Sequence, residues 1–190
     1  MMSRTSTTLA LGLTLCLLPR ASLAQAPALT ALDYFEIQQL VAKYARAIDT
    51  CSNNGYDYAD LFTADGLFAS EQDGKSVDRA QGREKLAEVS GGGSRGCKNV
   101  GWIRQGVKHL YVNHIITPSA GGATGTVDML MIGLGNDPYR IRHEGYYEDV
   151  YVRTPQGWRF KSRTHHVPAN PAAAPPAPGG GSSAAPAQPR

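Results

Sequence analysis

Cysteine is scarce in this 190-residue chain, with three in all, and neither end carries an acidic residue. Long apolar runs are absent too. The apolar stretch Leu9–Leu18 is ten residues long, against the ~20 that a membrane-spanning helix needs. Arg4 precedes it, Pro19-Arg20 ends it, and Ala24-Gln25-Ala26 supplies a small-residue cleavage signal. Residues 1–26 therefore read as a secretory signal peptide cut after Ala26, not as a membrane span. Cys16 follows Leu15, where a bacterial lipoprotein signal places a small residue, so lipidation is excluded. The implied location is the periplasm or the exterior.

The other end lacks rings and nearly lacks charge. Residues 168–190 hold seven prolines, no aromatic and one charge. Such a composition buries too little apolar surface to offset the entropy of ordering, and predicts a disordered tail. Between the ends lies Pro27–Val167, 141 residues, the size of one domain. It contains all 16 acidic residues and 16 of the 19 basic ones, so the formal +3 charge comes from Arg4, Arg20 and Arg190. The neutral domain has no clustered basic excess, which excludes a nucleic-acid partner. All 15 aromatic residues fall within it, and such a composition suits a small-molecule pocket. Removing the leader leaves Cys51 and Cys97, and two thiols in an exported protein predict one disulfide.

Thr30-Ala31-Leu32-Asp33 reads as a capping-box start with Asp in place of the usual Glu or Gln. Ile37, Leu40, Val41, Tyr44 and Ile48 recur at helical spacing, predicting an amphipathic helix over 31–49. After the Asn53-Asn54-Gly55 break come a short helix over 58–63, a strand over 67–70 and a helix over 81–89. Gly91-Gly92-Gly93 ends that helix in a plain loop. The period then changes to that of four long strands, at 107–117, 125–134, 141–154 and 158–167, with short Gly/Pro-rich connections. Helices followed by antiparallel strands form an α+β pattern. The expected architecture is a cone, a strongly curved, mostly antiparallel sheet closing over the helices around a pocket.

Several catalytic signatures are missing. There is no HExxH, no Cys-His cluster, no G-x-S-x-G elbow and no P-loop spacing. Strand alternation sends His109 and His114 to opposite faces, and His165 and His166 likewise, which argues against a metal site. Asp49 closes the first helix at its partly negative end, where a carboxylate is disfavoured by ~0.3–1 kcal/mol. Either it starts the next turn or it faces a pocket and orients a histidine. Alternation groups His109 with Tyr111 and Asn113. A lone strand histidine is most often structural, but one held by an aspartate is a competent general base. Arg163 is expected to share a face with Lys161 and His165, opposite Phe160 and Ser162. That face is either solvated charge or the source of a cation for a developing anion. Tyr44 and Tyr58, whose segments flank Asp49, are candidates to stack on an aromatic substrate or donate a proton.

In order along the chain, EIQQLVAKYARAID, YADLFTADGLF, Gly82-Arg83-Glu84, HLYVNHI and GYYEDVYVRTPQGWRFKSR resemble the SnoaL-like group of the nuclear-transport-factor-like superfamily. The resemblance spans about residues 30–166, and the superfamily includes scytalone dehydratase and hexachlorocyclohexane dehydrochlorinase. It implies a cone-shaped α+β barrel, assembly into homodimers or homotrimers through the sheet, and lyase chemistry with no cofactor and no metal. Asp49 and His109 fall on the acid–base pair of that branch. Arg163, five residues beyond Trp158, falls on its leaving-group arginine. The chain departs in having Tyr44 where a pocket lysine is expected and Met129 or Met131 where a second pocket histidine is expected. With the tyrosines singled out from the residues themselves, Tyr44, Tyr58, Met129, Met131 and Tyr147 are the expected substrate-binding residues.

The segment CSNNGYDYADLFT, in an exported chain with two cysteines, is also similar to bacterial lignin-dimer lyases of this superfamily. Those enzymes release formaldehyde from diarylpropane diols to give stilbenes. The implied activity is a γ-formaldehyde lyase acting on an aromatic small molecule. A dehydratase or double-bond isomerase of a polycyclic substrate would use the same base. A non-catalytic binding module would use the same fold, since fold does not fix function.

Overall fold

The computed structural model describes residues 28–98, 106–133 and 140–168. The signal-peptide reading of residues 1–26, the tail beyond Pro168 and the connection at 135–138 lie outside them.

Helix α1, Ala31–Thr50, starts with both arms of the capping box. The Asp33 N–H donates to Thr30 Oγ1 at 3.2 Å, and the Thr30 N–H donates to Asp33 Oδ2 at 2.8 Å. Asp33 Oδ1 also accepts from Arg153 Nη2 at 2.6 Å and Trp158 Nε1 at 3.0 Å, which ties the helix start to the last two strands. The Thr30 hydrogen bonds chiefly, helped by Trp158 and Arg153, lower the Asp33 pKa to about 2. The predicted stripe, Ile37 to Ile48, is buried throughout.

A 3₁₀ turn, Ser52–Gly55, leads into a one-turn helix α2, Tyr56–Ala59. Strand β1 then runs Phe62–Gln72 and β2 runs Lys75–Gln81. Here the expectation of a helix over 58–63 and a four-residue strand is corrected. β1 starts early because it pairs with a strand nearly a hundred residues later, the Phe160 N–H donating to Leu61 O at 3.0 Å. β2 was not foreseen because five of its first six positions are exposed, so no apolar alternation marks it. Its local signal is the Asp73-Gly74 turn, both residues at positive φ, a two-residue hairpin connection.

Helix α3, Arg83–Val89, is followed by a second 3₁₀ turn and the strands β3, Lys108–Ser119, β4, Gly122–Gly133, β5, Arg140–Thr154, and β6, Gly157–Val167. The sheet order is β2-β1-β6-β5-β4-β3. Among the described residues, β1 and β6 pair in parallel and the other four pairings are antiparallel. The sheet is curved but not closed, with β2 and β3 at its edges among the described residues. α1 packs across β3 and β6, and α3 against β1 and β2. The result is an α+β cone.

Cys51 and Cys97 form a disulfide, with Cα atoms 6.0 Å apart, which ties the end of α1 to the segment after α3. The glycine run read as a plain loop has a packing role beneath it. A Cβ on Gly92 would stand 2.0 Å from Asn54 O. On the outer face of the sheet, Leu110, Val112, Ile115, Ile141, Tyr146 and Val150 are exposed apolar residues.

Candidate active site

Asp49, in the last turn of α1, reaches the first inward position of β3. Its Oδ1 lies 2.7 Å from His109 Nδ1, and its carboxylate also accepts the His109 backbone N–H at 3.2 and 3.3 Å. Both side chains are almost fully buried, and Lys108 Nζ stands 3.9 Å from Asp49 Oδ2. The carboxylate can only accept, so Nδ1 is the donor and Nε2 is the ring nitrogen left to act on a substrate. The structure thus places the Asp49 carboxylate against the His109 ring.

His109 lines an inner cavity of about 240 Å³, together with Tyr44, Tyr147, Met129 and Met131. Exposed Asp78 marks where this cavity reaches the surface. A groove of about 610 Å³ on the outer face, bordered by Tyr146 and His166, is larger but has no part of the Asp49–His109 pair. The smaller, inner space is the candidate site.

Two of the expected residues stand one layer back. Tyr58 is not on the cavity wall; its hydroxyl donates to the Tyr44 hydroxyl at 3.1 Å from behind. Arg163 is fully buried, so the reading of a solvated charged face is corrected. Its guanidinium carbon lies 4.0 Å from the Tyr44 ring centre and 4.1 Å from that of Tyr147, with Phe160 at 4.7 Å and Tyr111 at 5.0 Å. Arg163 Nε lies 3.4 Å from Asp149 Oδ1. Asp149 accepts from the Tyr151 hydroxyl at 2.6 Å, and Tyr151 in turn meets His114 Nε2 at 3.0 Å.

Bulges produce these corrections. The β3–β4 register shifts between Val112 and Ile115, with Asn113 at φ 55°, and the β5–β6 register shifts between Val150 and Tyr151. A bulge adds one residue and reverses which parity faces inward. Hence His114 joins His109 and Tyr111 on the inner side, while Asn113 turns out. Phe160 joins Arg163 and His165, while Lys161 turns out to pair with Asp65. His165 and His166 do face opposite ways, and His166 meets Glu148 at 2.9 Å outside. With His109 and His114 on one side, the alternation argument against a metal falls. Among the described residues, however, no three His, Cys, Asp or Glu side chains are placed to hold an ion.

Burial opposes the Arg163 charge, but Asp149 and the surrounding tyrosines outweigh it and raise its pKa, so the guanidinium stays charged. Burial first, then neighbouring tyrosines, pushes Tyr44 well above the usual phenol range; burial likewise raises Tyr147. Both are neutral hydroxyls. Two residues that the sequence reading did not select, His143 and His165, also line the cavity. Burial lowers both, His165 to about 4 with help from His143 and Arg163. The sequence signal was their parity, since His143 stands four residues from Tyr147 and His165 two from Arg163.

An open α+β cone whose inner cavity carries a carboxylate-held imidazole defines a class of small-molecule pocket proteins. A family model described as SnoaL-like domain matches residues 30–164, and the chain belongs to that family. The family includes dehydratases, isomerases and polyketide cyclases. Solved structures agree on the fold. An NTF2-like protein with a cystatin-like fold from Novosphingobium aromaticivorans superposes with a TM-score of 0.59 at 22% identity, covering 72% of this chain and 82% of that one. ActVI-ORFA from Streptomyces coelicolor gives 0.56 at 20% identity, covering 70% and 96%. A Catenulispora acidiphila protein in complex with S-DNPA gives 0.55 at 25% identity, covering 72% and 95%. No curated protein matches the chain. No helix among the described residues is long and apolar enough to cross a membrane.

Proposed function

We propose that the protein is a cofactor-independent lyase acting on an aromatic small molecule, with His109 as general base and Asp49 fixing its tautomer. The observation that carries this reading is the 2.7 Å contact between Asp49 and His109 at the wall of an inner cavity. Tyr44 and Tyr147, neutral phenols on the cavity wall, are the rings that contact the substrate. Arg163, directly behind both rings, acts through them as a fixed positive charge that favours a developing oxyanion.

The sharpest form of the proposal is a γ-formaldehyde lyase. A 1,2-diarylpropane-1,3-diol loses its benzylic hydroxyl as water, giving a quinone methide. His109 then takes the proton of the terminal hydroxyl, the adjacent C–C bond breaks, and formaldehyde leaves. The electron pair forms the stilbene double bond and restores the phenol. Diol thus becomes stilbene, water and formaldehyde, with no net oxidation. A cavity of about 240 Å³ is below the ~300–1,000 Å³ of sites that enclose a drug-sized ligand. One ring is enclosed and the other extends to the rim at Asp78.

The exposed apolar residues of β3 and β5 support assembly into a homodimer or homotrimer through the outer face. The leader-like pattern of residues 1–26 and the disulfide support the reading of a 27–167 domain exported to the periplasm or beyond.

Mass spectrometry of the purified protein with lignin-derived dimers and hydroxylated aromatics, without added cofactor, tests the reaction. Loss of water plus formaldehyde is expected; loss of water alone identifies a dehydratase. Turnover with unchanged mass replaces the lyase by an isomerase. Ligand-dependent thermal stabilisation without turnover replaces it by a binding module.

A further inference from the structure

The cavity holds a second polar feature that the acid–base pair does not use. His165 of β6 enters it beside His143 of β5. The ring of His165 is stacked on Tyr147, centres 4.7 Å apart at 19°, and meets His143 edge-on at 5.3 Å and 75°. It leans over Gly145, where a Cβ would stand 2.6 Å from Nε2. That nitrogen is buried and has no hydrogen-bond partner among the described residues. A buried polar atom without a partner calls for an explanation.

The surroundings select the chemistry. Burial, His143 and Arg163 keep the His165 ring uncharged near neutral pH, so it has one N–H and one lone pair. Such a ring suits an uncharged oxygen that both donates and accepts, and offers no net charge to a carboxylate or phosphate. The strand register also separates this group from the base. His109 pairs with Met131, and Met131 pairs with His143. His165 stands one strand further on, opposite Tyr147, so three strand spacings, ~14 Å along the sheet, separate it from the base, and the two imidazoles enter the cavity from different strands.

We propose that His165, backed by His143, is a substrate-recognition residue that hydrogen-bonds a neutral hydroxyl on an aromatic substrate, remote from the hydroxyl that His109 deprotonates. The substrate class narrows to aromatics with two separated hydroxyl functions. This rests on the reading of the inner cavity as the substrate site.

The test is fluorescence titration of the full mature chain with 4,4′-dihydroxystilbene and with 4-hydroxy-4′-methylstilbene, which replaces one hydroxyl by a methyl. Wild type is expected to bind the dihydroxy probe about tenfold more tightly. His165→Phe, which keeps the stacked ring but removes its nitrogens, is expected to equalise the two probes without weakening the methyl probe. His165→Gln, which restores a donor and an acceptor, is expected to recover part of the preference. Equal binding in wild type, no binding of either probe at millimolar concentration, or a preference undiminished in His165→Phe overturns the assignment. Should His165→Phe prove insoluble, ¹⁵N NMR of the wild-type imidazoles decides. The His165 resonances shift with the dihydroxy probe and not the methyl one, and equal response to both overturns it. His109→Gln separates the two proposals: lost turnover with the probe preference intact is expected. Retained turnover in that variant removes the base mechanism while leaving the His165 result to stand on binding.

Discussion

Asp49 grips His109 twice, at the ring Nδ1 2.7 Å from Oδ1 and at the backbone N–H of the same residue. The link joins positions 60 residues apart and commits the Nδ1 proton, which leaves Nε2 as the basic nitrogen. General acid–base help contributes ~10²–10⁴-fold. His109→Ala and Asp49→Asn are each expected to lower turnover by at least ~10²-fold while circular dichroism keeps the folded spectrum. Near-full activity in His109→Ala would remove the pair from the mechanism.

Arg163 is fully buried. Removing it leaves Asp149 as an unpaired buried carboxylate, and breaking such a pair costs about 3–5 kcal/mol. Arg163→Met should show this loss in urea unfolding, and Arg163→Met with Asp149→Leu should recover much of it. Arg163→Lys is not a mild change, because the planar guanidinium lies against Tyr44 and Tyr147 as an ammonium does not.

The disulfide joins cysteines 46 residues apart, worth roughly 4 kcal/mol by chain entropy. Reduction with dithiothreitol, or Cys97→Ser, should lower the urea midpoint accordingly. Cys51 follows Asp49 by two residues, so turnover in the reduced protein should fall before global unfolding begins. Parallel loss of activity and structure would separate the disulfide from the site.

Acid should weaken the fold in two stages. His114 and His165 are both lowered to about 4, by burial first and then by Arg163 and, for His165, neighbouring histidines. An unfolded histidine titrates near 6.5. Between those values the unfolded chain binds protons that the folded one refuses, so stability is full above pH 6.5 and falls toward pH 4. Asp33, lowered to about 2, contributes stability above its unfolded pKa that is lost as the pH falls through 2. Tm should decline from pH 6.5 downward, and His165→Phe should make the first stage shallower. An unchanged slope in that variant would show that His165 does not carry it.

Much of the frame was legible because it is written in neighbouring residues. The capping box at Thr30, the apolar stripe of α1 and the alternation of the long strands need only local spacing. The missed strand β2 has little apolar alternation to show, although its Asp73-Gly74 turn was a readable hairpin signal. In the site, Asp49 and His109 were legible as an out-of-place carboxylate and an inward strand histidine. His143 and His165 carried no distinct signal, because one lies beside an ordinary glutamate and the other on a charged face that reads equally well as solvated.

By itself the sequence determined where the two longer helices and the four long strands lie, which residues form the core stripe, and which cysteines and which carboxylate–imidazole pair were available to meet. Only the tertiary structure decided which faces point inward. Each bulge adds one residue and reverses a strand's parity, and nothing in residue spacing marks where the partner strand forces it. That reversal carries Arg163 beneath Tyr44 and Tyr147, stands His114 against Tyr151 and brings His165 to the cavity. The parallel pairing of β1 with β6 is decided the same way, because its stabilising contacts exist only once distant parts of the chain have come together.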